Sequence, residues 1–299
     1  MSKVYLVNVG ANTSHSAVAR SPIFNDGSFI FVPFPLHVGK RGTRPCPVAD
    51  CPFVRKVDVR DTHSDPDWRN LTYGDHCANP RAKALLRVVE DDILLFWALL
   101  WRNRGGAWED GFTGEQRWCL IGALRVREIL ASGQSPSDAN ASRRARLNAH
   151  FRNEILGPSE RVFVGCTRYS RLFSKAVDLE VTKRSGLLYR TLRTAHGAAL
   201  RLKGRPHWSS SLRSCRAIWD LEKADDRRRA EIVRDAILRR TGYDLLAGLS
   251  PADDAGLRPK LRAYRASTSC ASSRGCTGAM RLPYRSKSPT FKVSNRRSP

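Results

Sequence analysis

The chain has 299 residues, of which 41% are hydrophobic, so it can form one large domain or two smaller ones around a buried core. Its 52 Lys and Arg residues against 28 Asp and Glu give a formal net charge of +24, which attracts polyanions over long range. No apolar segment approaches the ~20 residues of a membrane helix. No signal-peptide pattern opens the chain either, so the sequence predicts a cytoplasmic protein without membrane contact.

The first third of the chain contains two apolar runs separated by a polar stretch. Residues 3–10 and 29–35 are rich in β-branched and aromatic residues, which predicts two strands. The stretch between them is rich in Asn, Ser and Thr, and loops held by strands are where binding groups concentrate. Residues 65–75 are punctuated by proline and glycine and therefore predict a further loop.

The middle of the chain has the most hydrophobic composition. Apolar residues at helical spacing predict a helix over 78–89, and the apolar run that follows predicts a buried strand over 91–101. Three later segments also have the composition of strands, namely 117–130, 161–166 and 173–179.

The C-terminal part changes character twice. Apolar residues at helical spacing predict a helix within 219–246, whose basic face can contact phosphates or simply face solvent. From Ser250 onward, eleven Lys and Arg residues stand against two acidic ones and core-forming residues are few, which predicts a disordered tail. The tail can wrap polyanions or have no function. We therefore divide the chain into a domain at 1–190, a helical extension at 191–249 and a disordered basic tail at 250–299.

The eight cysteines are scattered, and none lies in a CxxC pair, so we interpret them mostly as buried free thiols. Cys46 and Cys51, with His63, His76 and Cys77, contain enough ligands for a metal, but their spacing matches no standard zinc knuckle. The sequence also lacks a Walker A motif, GxGxxG, HExxH, GxSxG and the zinc deaminase pattern. We therefore expect no metal site and no cofactor.

Polar and aromatic side chains of the predicted loops are candidates for nucleotide binding. Asn and Ser side chains can hydrogen bond to a base edge, Tyr and Trp rings can stack on a base, and Arg can neutralise phosphates. The predicted nucleotide-binding residues are Asn8, Asn12, Ser14, Arg20, Ser21, Trp68, Tyr73, Asn148, Arg152 and Arg171. Each of them can instead be structural; Asn12, for example, can satisfy a turn through its own backbone.

Asp75 and His150 are the candidate acid–base pair if the protein is catalytic. The unperturbed pKa of histidine lies near neutral pH, and a nearby carboxylate orients the ring. The structural alternative makes 73–75 a turn with Gly74 at positive φ and with Asp75 capping the next helix. In that alternative, His150 is a half-buried histidine whose hydrogen bonds are satisfied within the fold.

Several separated blocks resemble one family. They are VYLVNVGANTSH, RSPIFNDGSFIFVPFP, LTYGD, DDILLFWALLW, CLIGALRV, NAHFR and VFVGCTRYSRLF. Together they resemble the bacterial and phage family called nucleotide modification associated domain 3, over about residues 3–180. The resemblance implies an α+β domain that belongs to nucleic-acid modification systems.

A second likeness concerns the order of elements. A helix, an acidic turn at Glu90–Asp92, a hydrophobic strand and a strand containing LIGALRV are similar to the PUA, ASCH and EVE-type barrels. Those barrels bind RNA or modified DNA bases. We therefore predict an α+β fold with a mixed, partly barrel-like sheet and flanking helices.

Three functions remain open at this point. The leading hypothesis is a protein of a base-modification system that binds a nucleotide or modified base of nucleic acid, with DNA favoured over RNA. The second is an enzyme that acts on a nucleobase or nucleotide through Asp75 and His150. The third is a non-catalytic interaction protein whose basic helix and tail bind an acidic partner. Arginine supplies most of the positive charge, which is also what a GC-rich genome imposes on neutral surface positions.

Overall fold

A computed structural model provides the coordinates of the protein. It describes residues 2–10, 16–37, 46–47, 53, 59–63, 65–106, 111–131, 133–134, 142–150, 156, 159–180, 186–187, 191, 201–202, 205–206 and 216–249. The predicted tail at 250–299 lies outside the described residues.

The main sheet has eight strands in the described part of the chain. They are β1 (Lys3–Asn8), β2 (Ser21–Ile23), β6 (Thr72–His76), β7 (Ile93–Asn103), β8 (Phe112–Leu130), β9 (Glu160–Gly165), β10 (Arg171–Asp178) and β13 (Arg216–Asp220). The order is β13-β1-β7-β8-β9-β6, with β2 beside β7 and β10 beside β8. Because β1 and β2 run parallel to β7 whereas the other pairs are antiparallel, the predicted mixed α+β sheet is confirmed.

Shorter elements complete the described architecture. A three-stranded sheet contains β3 (Phe34–His37), β4 (Cys46–Pro47) and β5 (Val59–His63), and a two-stranded one contains β11 (Arg201–Leu202) and β12 (Arg205–Pro206). The helices that the structure describes in full are a 3-10 helix (Lys83–Arg87), α1 (Arg143–Arg146) and α2 (Ala224–Thr241). None of the helices in the described ranges is long and apolar enough to span a membrane.

The sheet is not closed into a barrel, which corrects the barrel-like part of the prediction. Its two outer strands, β13 and β6, do not pair with each other in the described part of the chain. The Gly74 N–H of β6 instead donates to the Asp65 carboxylate at 2.9 Å. A side chain therefore accepts the hydrogen bond from this backbone N–H of β6. In a closed barrel, the carbonyl of a neighbouring strand would accept it.

Strand β7 lies at the centre of the core, as the continuous apolar run predicted. Its alternate residues Leu95, Trp97 and Leu99 belong to a cluster that includes Val233 and Ile237 of α2. The intervening residues face a second cluster on the opposite side of the sheet, which includes Tyr73, Leu85 and Phe163. Both faces of β7 are buried, so its apolar residues do not alternate with polar ones.

Several predicted elements change in extent. The predicted loop at 65–75 ends in β6, because Thr72–His76 pair with β9. The helix predicted over 78–89 shrinks to the 3-10 helix, after which Val88 is extended. Of the strand predicted over 29–35, only its end forms β3, together with an isolated bridge between Ile23 and Phe29.

The C-terminal segment packs on the same sheet as the N-terminus. Strand β13 pairs with β1, and α2 buries Ala230, Val233 and Ile237 in the first cluster. Asp225 and Asp226 lie in the first turn of α2, and Gly242 ends it at a φ of 70°. The predicted helix within 219–246 is therefore confirmed, with a strand before it, while the boundary at residue 190 stays a prediction.

Candidate functional site

Four titratable side chains lie around β6 and form what we call the β6 cluster: Asp65, Asp75, His150 and Glu160. The imidazole of His150 lies over Gly74, with Nε2 3.3 Å from Asp65 Oδ2 and Nδ1 3.9 Å from Glu160 Oε1. The Asp65 side chain is 5% exposed and that of His150 is 13% exposed, whereas that of Glu160 is 29% exposed. The cluster therefore has a buried centre and a partly exposed rim.

Asn148 positions His150 against the strand. This fully buried residue donates from Nδ2 to Thr72 Oγ1 at 2.9 Å, and its Oδ1 accepts the His150 backbone N–H at 2.9 Å. Both polar ends of the Asn148 amide are thus used inside the protein. The structure brings this predicted binding residue to the cluster, where it orients the histidine.

The electrostatics of the cluster favour a charged imidazole. Burial lowers the pKa of His150, but its contacts with the carboxylates of Asp65 and Glu160, and the negative charge of Asp75, outweigh it and raise that pKa to about 10. Burial also raises the pKa of Asp75, although the Tyr73 hydroxyl, which donates to Asp75 Oδ2 at 2.6 Å, opposes this. His150 is consequently an imidazolium at neutral pH.

Asp75 and His150 lie on opposite faces of β6. Tyr73 and Asp75 share one face, as their hydrogen bond requires, while the Cβ direction of Gly74 points at the His150 ring. The carboxylates in direct contact with His150 are those of Asp65 and Glu160. Catalysis by Asp75 and His150 as a pair stays a prediction.

The sequence reasoning missed Asp65 and Glu160. Asp65 stands in a segment interpreted as a loop, and Glu160 opens a strand, so no spacing pattern links either residue to His150. The interpretation of 73–75 as a turn was wrong, because Tyr73, Gly74 and Asp75 are strand residues paired with β9. Gly74 is not among the described glycines at positive φ.

The two predicted stacking residues are part of the packing. Tyr73 is 4% exposed, and its ring lies 5.3 Å from that of Phe96 and 6.3 Å from that of Phe163. Trp68 is partly buried, contacts Phe96 edge-on at 5.3 Å, and covers Gly122. The structure therefore uses both rings to fill the second cluster.

The predicted residues of the N-terminal segment lie in structural contacts. Asn8 Nδ2 donates to the Trp97 carbonyl at 3.3 Å, and the buried Ser21 hydroxyl accepts the Val32 N–H at 3.0 Å. The Arg20 guanidinium lies 4.9 Å from the Trp101 ring. Asn12, Ser14 and Arg152 lie outside the described residues, and Arg171 is exposed on β10, in the arginine-rich surface described below.

The described residues contain no group of three or more His, Cys, Asp or Glu side chains arranged to hold a metal ion. Cys51 and the side chain of Cys46 fall outside what the structure describes. Cys77, Cys119 and Cys166 are free thiols, and the first two are buried.

The family model called nucleotide modification associated domain 3 matches residues 3–217. The chain belongs to this family. The matched segment continues past the resembling blocks and ends within β13, whereas α2 lies beyond it. The family name associates this domain with nucleotide modification. Comparison with curated proteins and with solved structures finds no significant match.

Proposed function

We propose that this domain binds a nucleobase of nucleic acid at the β6 cluster, as a component of a nucleotide-modification system. The observation that supports this most is the imidazolium of His150, which Asp65 and Asn148 hold in place beside the partly exposed carboxylate of Glu160. A second partly exposed carboxylate, that of Asp75, lies on the other face of β6, and the two carboxylates form the rim of the cluster. Perturbed titratable groups gathered in this way are typical of functional sites.

The chemistry of the rim defines the group that it would recognise. Ionised carboxylates only accept hydrogen bonds, and they repel phosphates. Their complement is a nucleobase edge that carries an amino group, such as the N4 amino group of cytosine. The rim therefore favours a base with an exocyclic amino group over thymine, whose exocyclic groups are carbonyl oxygens and a methyl group.

Fluorescence anisotropy with single-stranded oligo-dC and oligo-dT of equal length tests this proposal. A well-placed polar contact to a base edge contributes about 1–3 kcal/mol of discrimination, so we expect the protein to bind oligo-dC roughly 5- to 150-fold more tightly than oligo-dT. The variant Asp75→Asn/Glu160→Gln should lose most of this ratio.

The matched control is Glu90→Gln/Glu222→Gln, which removes two exposed carboxylates and changes the net charge by the same amount. It should keep the preference for oligo-dC. An unchanged ratio in the Asp75→Asn/Glu160→Gln variant, or an equal loss in the control, contradicts base recognition at the cluster.

Catalysis at the same cluster is the second candidate function. The partly exposed carboxyl group of Asp75 favours it. Burial raises the pKa of this group, so it holds a proton more strongly than an ordinary aspartate. In this version Asp75 gives a proton to the substrate or takes one from it, and His150, which is charged at neutral pH, stabilises negative charge. Mass spectrometry of nucleosides from cells that express the protein or Asp75→Asn should then show an altered base with the unmodified protein alone. Identical nucleoside profiles contradict the catalytic version.

A further inference from the structure

An arginine-rich surface surrounds the turn that joins β9 to β10. We call it the arginine face and define it by Arg127, Arg144, Arg168, Tyr169 and Arg171. Three of these cations, Arg127, Arg168 and Arg171, are exposed. Among the residues that the structure describes, none of the three forms an ion pair with a carboxylate, so their charge is available to an external anion.

Hydrogen bonds hold the parts of this surface together. The Tyr169 N–H donates to the Cys166 carbonyl at 3.2 Å, and the Cys166 N–H donates to the Arg125 carbonyl of β8 at 2.8 Å. From the segment after α2, the Tyr243 hydroxyl donates to the Tyr169 carbonyl at 2.7 Å. The turn is thus fixed to β8 on one side and to the C-terminal segment on the other.

Aromatic rings orient the guanidinium groups. The Arg168 guanidinium lies 5.2 Å from the centre of the Tyr169 ring, and that of Arg171 lies 5.1 Å from the centre of the Tyr243 ring. Arg125 lies 4.9 Å from Tyr169 but donates to the carbonyls of Ala247 and Gly248, so it supports the surface from within. A guanidinium stacked on a ring keeps its N–H edge for planar acceptors such as phosphate.

Arg144 adds a cation that the described structure leaves incompletely satisfied. Its Nη1 is buried and has no hydrogen-bond partner within the described ranges. Burial and the positive charge of Arg127 lower the pKa of Arg144, and the negative charge of Glu128 only partly offsets this. An anion bound between these two arginines, or beside them, would reduce the repulsion between their positive charges.

We propose that the arginine face binds the phosphodiester backbone of nucleic acid. This deepens the proposed function, because the strand held here would be the one whose base reaches the β6 cluster. Arginine forms bidentate hydrogen bonds with phosphate oxygens, and a series of fixed guanidinium groups suits a regularly spaced row of phosphates. The acidic β6 cluster cannot serve this purpose, so recognition of the backbone and of the base is divided between two surfaces.

The salt dependence of binding tests the proposal. The affinity for a 24-base-pair duplex DNA and for a 24-nucleotide single-stranded RNA would be measured by fluorescence anisotropy over a range of salt concentrations. The variant Arg127→Gln/Arg168→Gln/Arg171→Gln should reduce the slope of log affinity against log salt by about 2–3 on the duplex, since each lost phosphate contact contributes about 0.9. The probe that binds more tightly shows whether the phosphodiester backbone bound here is that of duplex DNA or of single-stranded RNA.

The matched control removes three exposed cations of α2 and its N-terminal flank through Lys223→Gln/Arg228→Gln/Arg239→Gln. Its slope should equal that of the unmodified protein. A second variant, Arg168→Lys/Arg171→Lys, keeps the charge and should keep most of the slope. An unchanged slope in the arginine-face variant, or the same decrease in the α2 control, overturns the proposal. Equal affinity for poly-glutamate and DNA at matched salt also overturns it, since an acidic protein would then fit as well.

The two proposals fail separately. If the arginine face binds the backbone but the β6 cluster does not read bases, the slope falls in the arginine-face variant while oligo-dC and oligo-dT bind equally. If only base recognition holds, oligo-dC stays preferred and the slope does not respond to the three arginine substitutions.

Discussion

The imidazole of His150 lies directly over the α-carbon of Gly74. A Cβ built on Gly74 would overlap His150 Cδ2 and would stand 2.8 Å from Cγ. Only a residue without a side chain lets the ring approach β6 closely enough to contact Asp65 and Glu160 together. The glycine is therefore a condition for assembling the β6 cluster, although it occupies ordinary strand backbone.

Replacement of Gly74 by Ala should destabilise the protein by about 1–3 kcal/mol, because the added methyl group overpacks a buried contact. Urea denaturation followed by tryptophan fluorescence measures the free energy of unfolding. The control is a double-mutant cycle with His150→Ala, which removes the ring that the methyl group meets. We expect the Gly74→Ala penalty to shrink when the ring is absent. Additive effects would show that the contact does not cause the loss.

His150 should make the stability depend on pH above neutrality. Its folded pKa of about 10 exceeds the unfolded value of about 6.5, so the folded state holds the proton more tightly. The stabilisation is complete below pH 6.5, decreases as the pH rises from there to 10, and is absent above pH 10. The difference in unfolding free energy between the protein and His150→Gln should follow this course. A difference that is constant from pH 6.5 to 10 contradicts the raised pKa.

Two substitutions at Tyr73 separate its ring from its hydroxyl. Tyr73→Phe keeps the core packing and removes the hydrogen bond to Asp75, which should cost about 1.5–3 kcal/mol if the carboxyl is ionised. Tyr73→Ala should cost at least about 3 kcal/mol, since it also leaves a cavity beside Phe96 and Phe163. Urea denaturation compares the two variants. Equal stability losses would indicate that the ring does not fill the core.

Neighbouring residues of α2 test whether the helix is integral to the core. Ile237 is fully buried in the first cluster, whereas Leu238 is 37% exposed. We expect Ile237→Ala to reduce the free energy of unfolding by about 2–5 kcal/mol, and Leu238→Ala to reduce it by less than about 1 kcal/mol as the matched control. Far-UV circular dichroism and tryptophan fluorescence should report one coincident transition. Separate transitions would mean that α2 folds independently of the sheet.

Patterns confined to one segment predicted the strands well. The apolar runs at 3–10, 91–101 and 117–130 correspond to β1, β7 and β8, since composition and period are local properties of a strand. The strand over 29–35, the helix over 78–89 and the loop over 65–75 were predicted less well. In the loop, pairing with β9 rather than a local preference makes Thr72–His76 a strand.

Composition, charge and separated sequence blocks were sufficient to predict a basic α+β protein of the nucleotide modification associated domain 3 family. They also placed Asp75 and His150 among the candidate residues. They could not indicate that His150 contacts Asp65 and Glu160, or that Tyr73 faces the core. Those relationships depend on the pairing of β6 with β9 and on which strand face each side chain occupies. Sheet register sets both, and register links segments far apart in the chain.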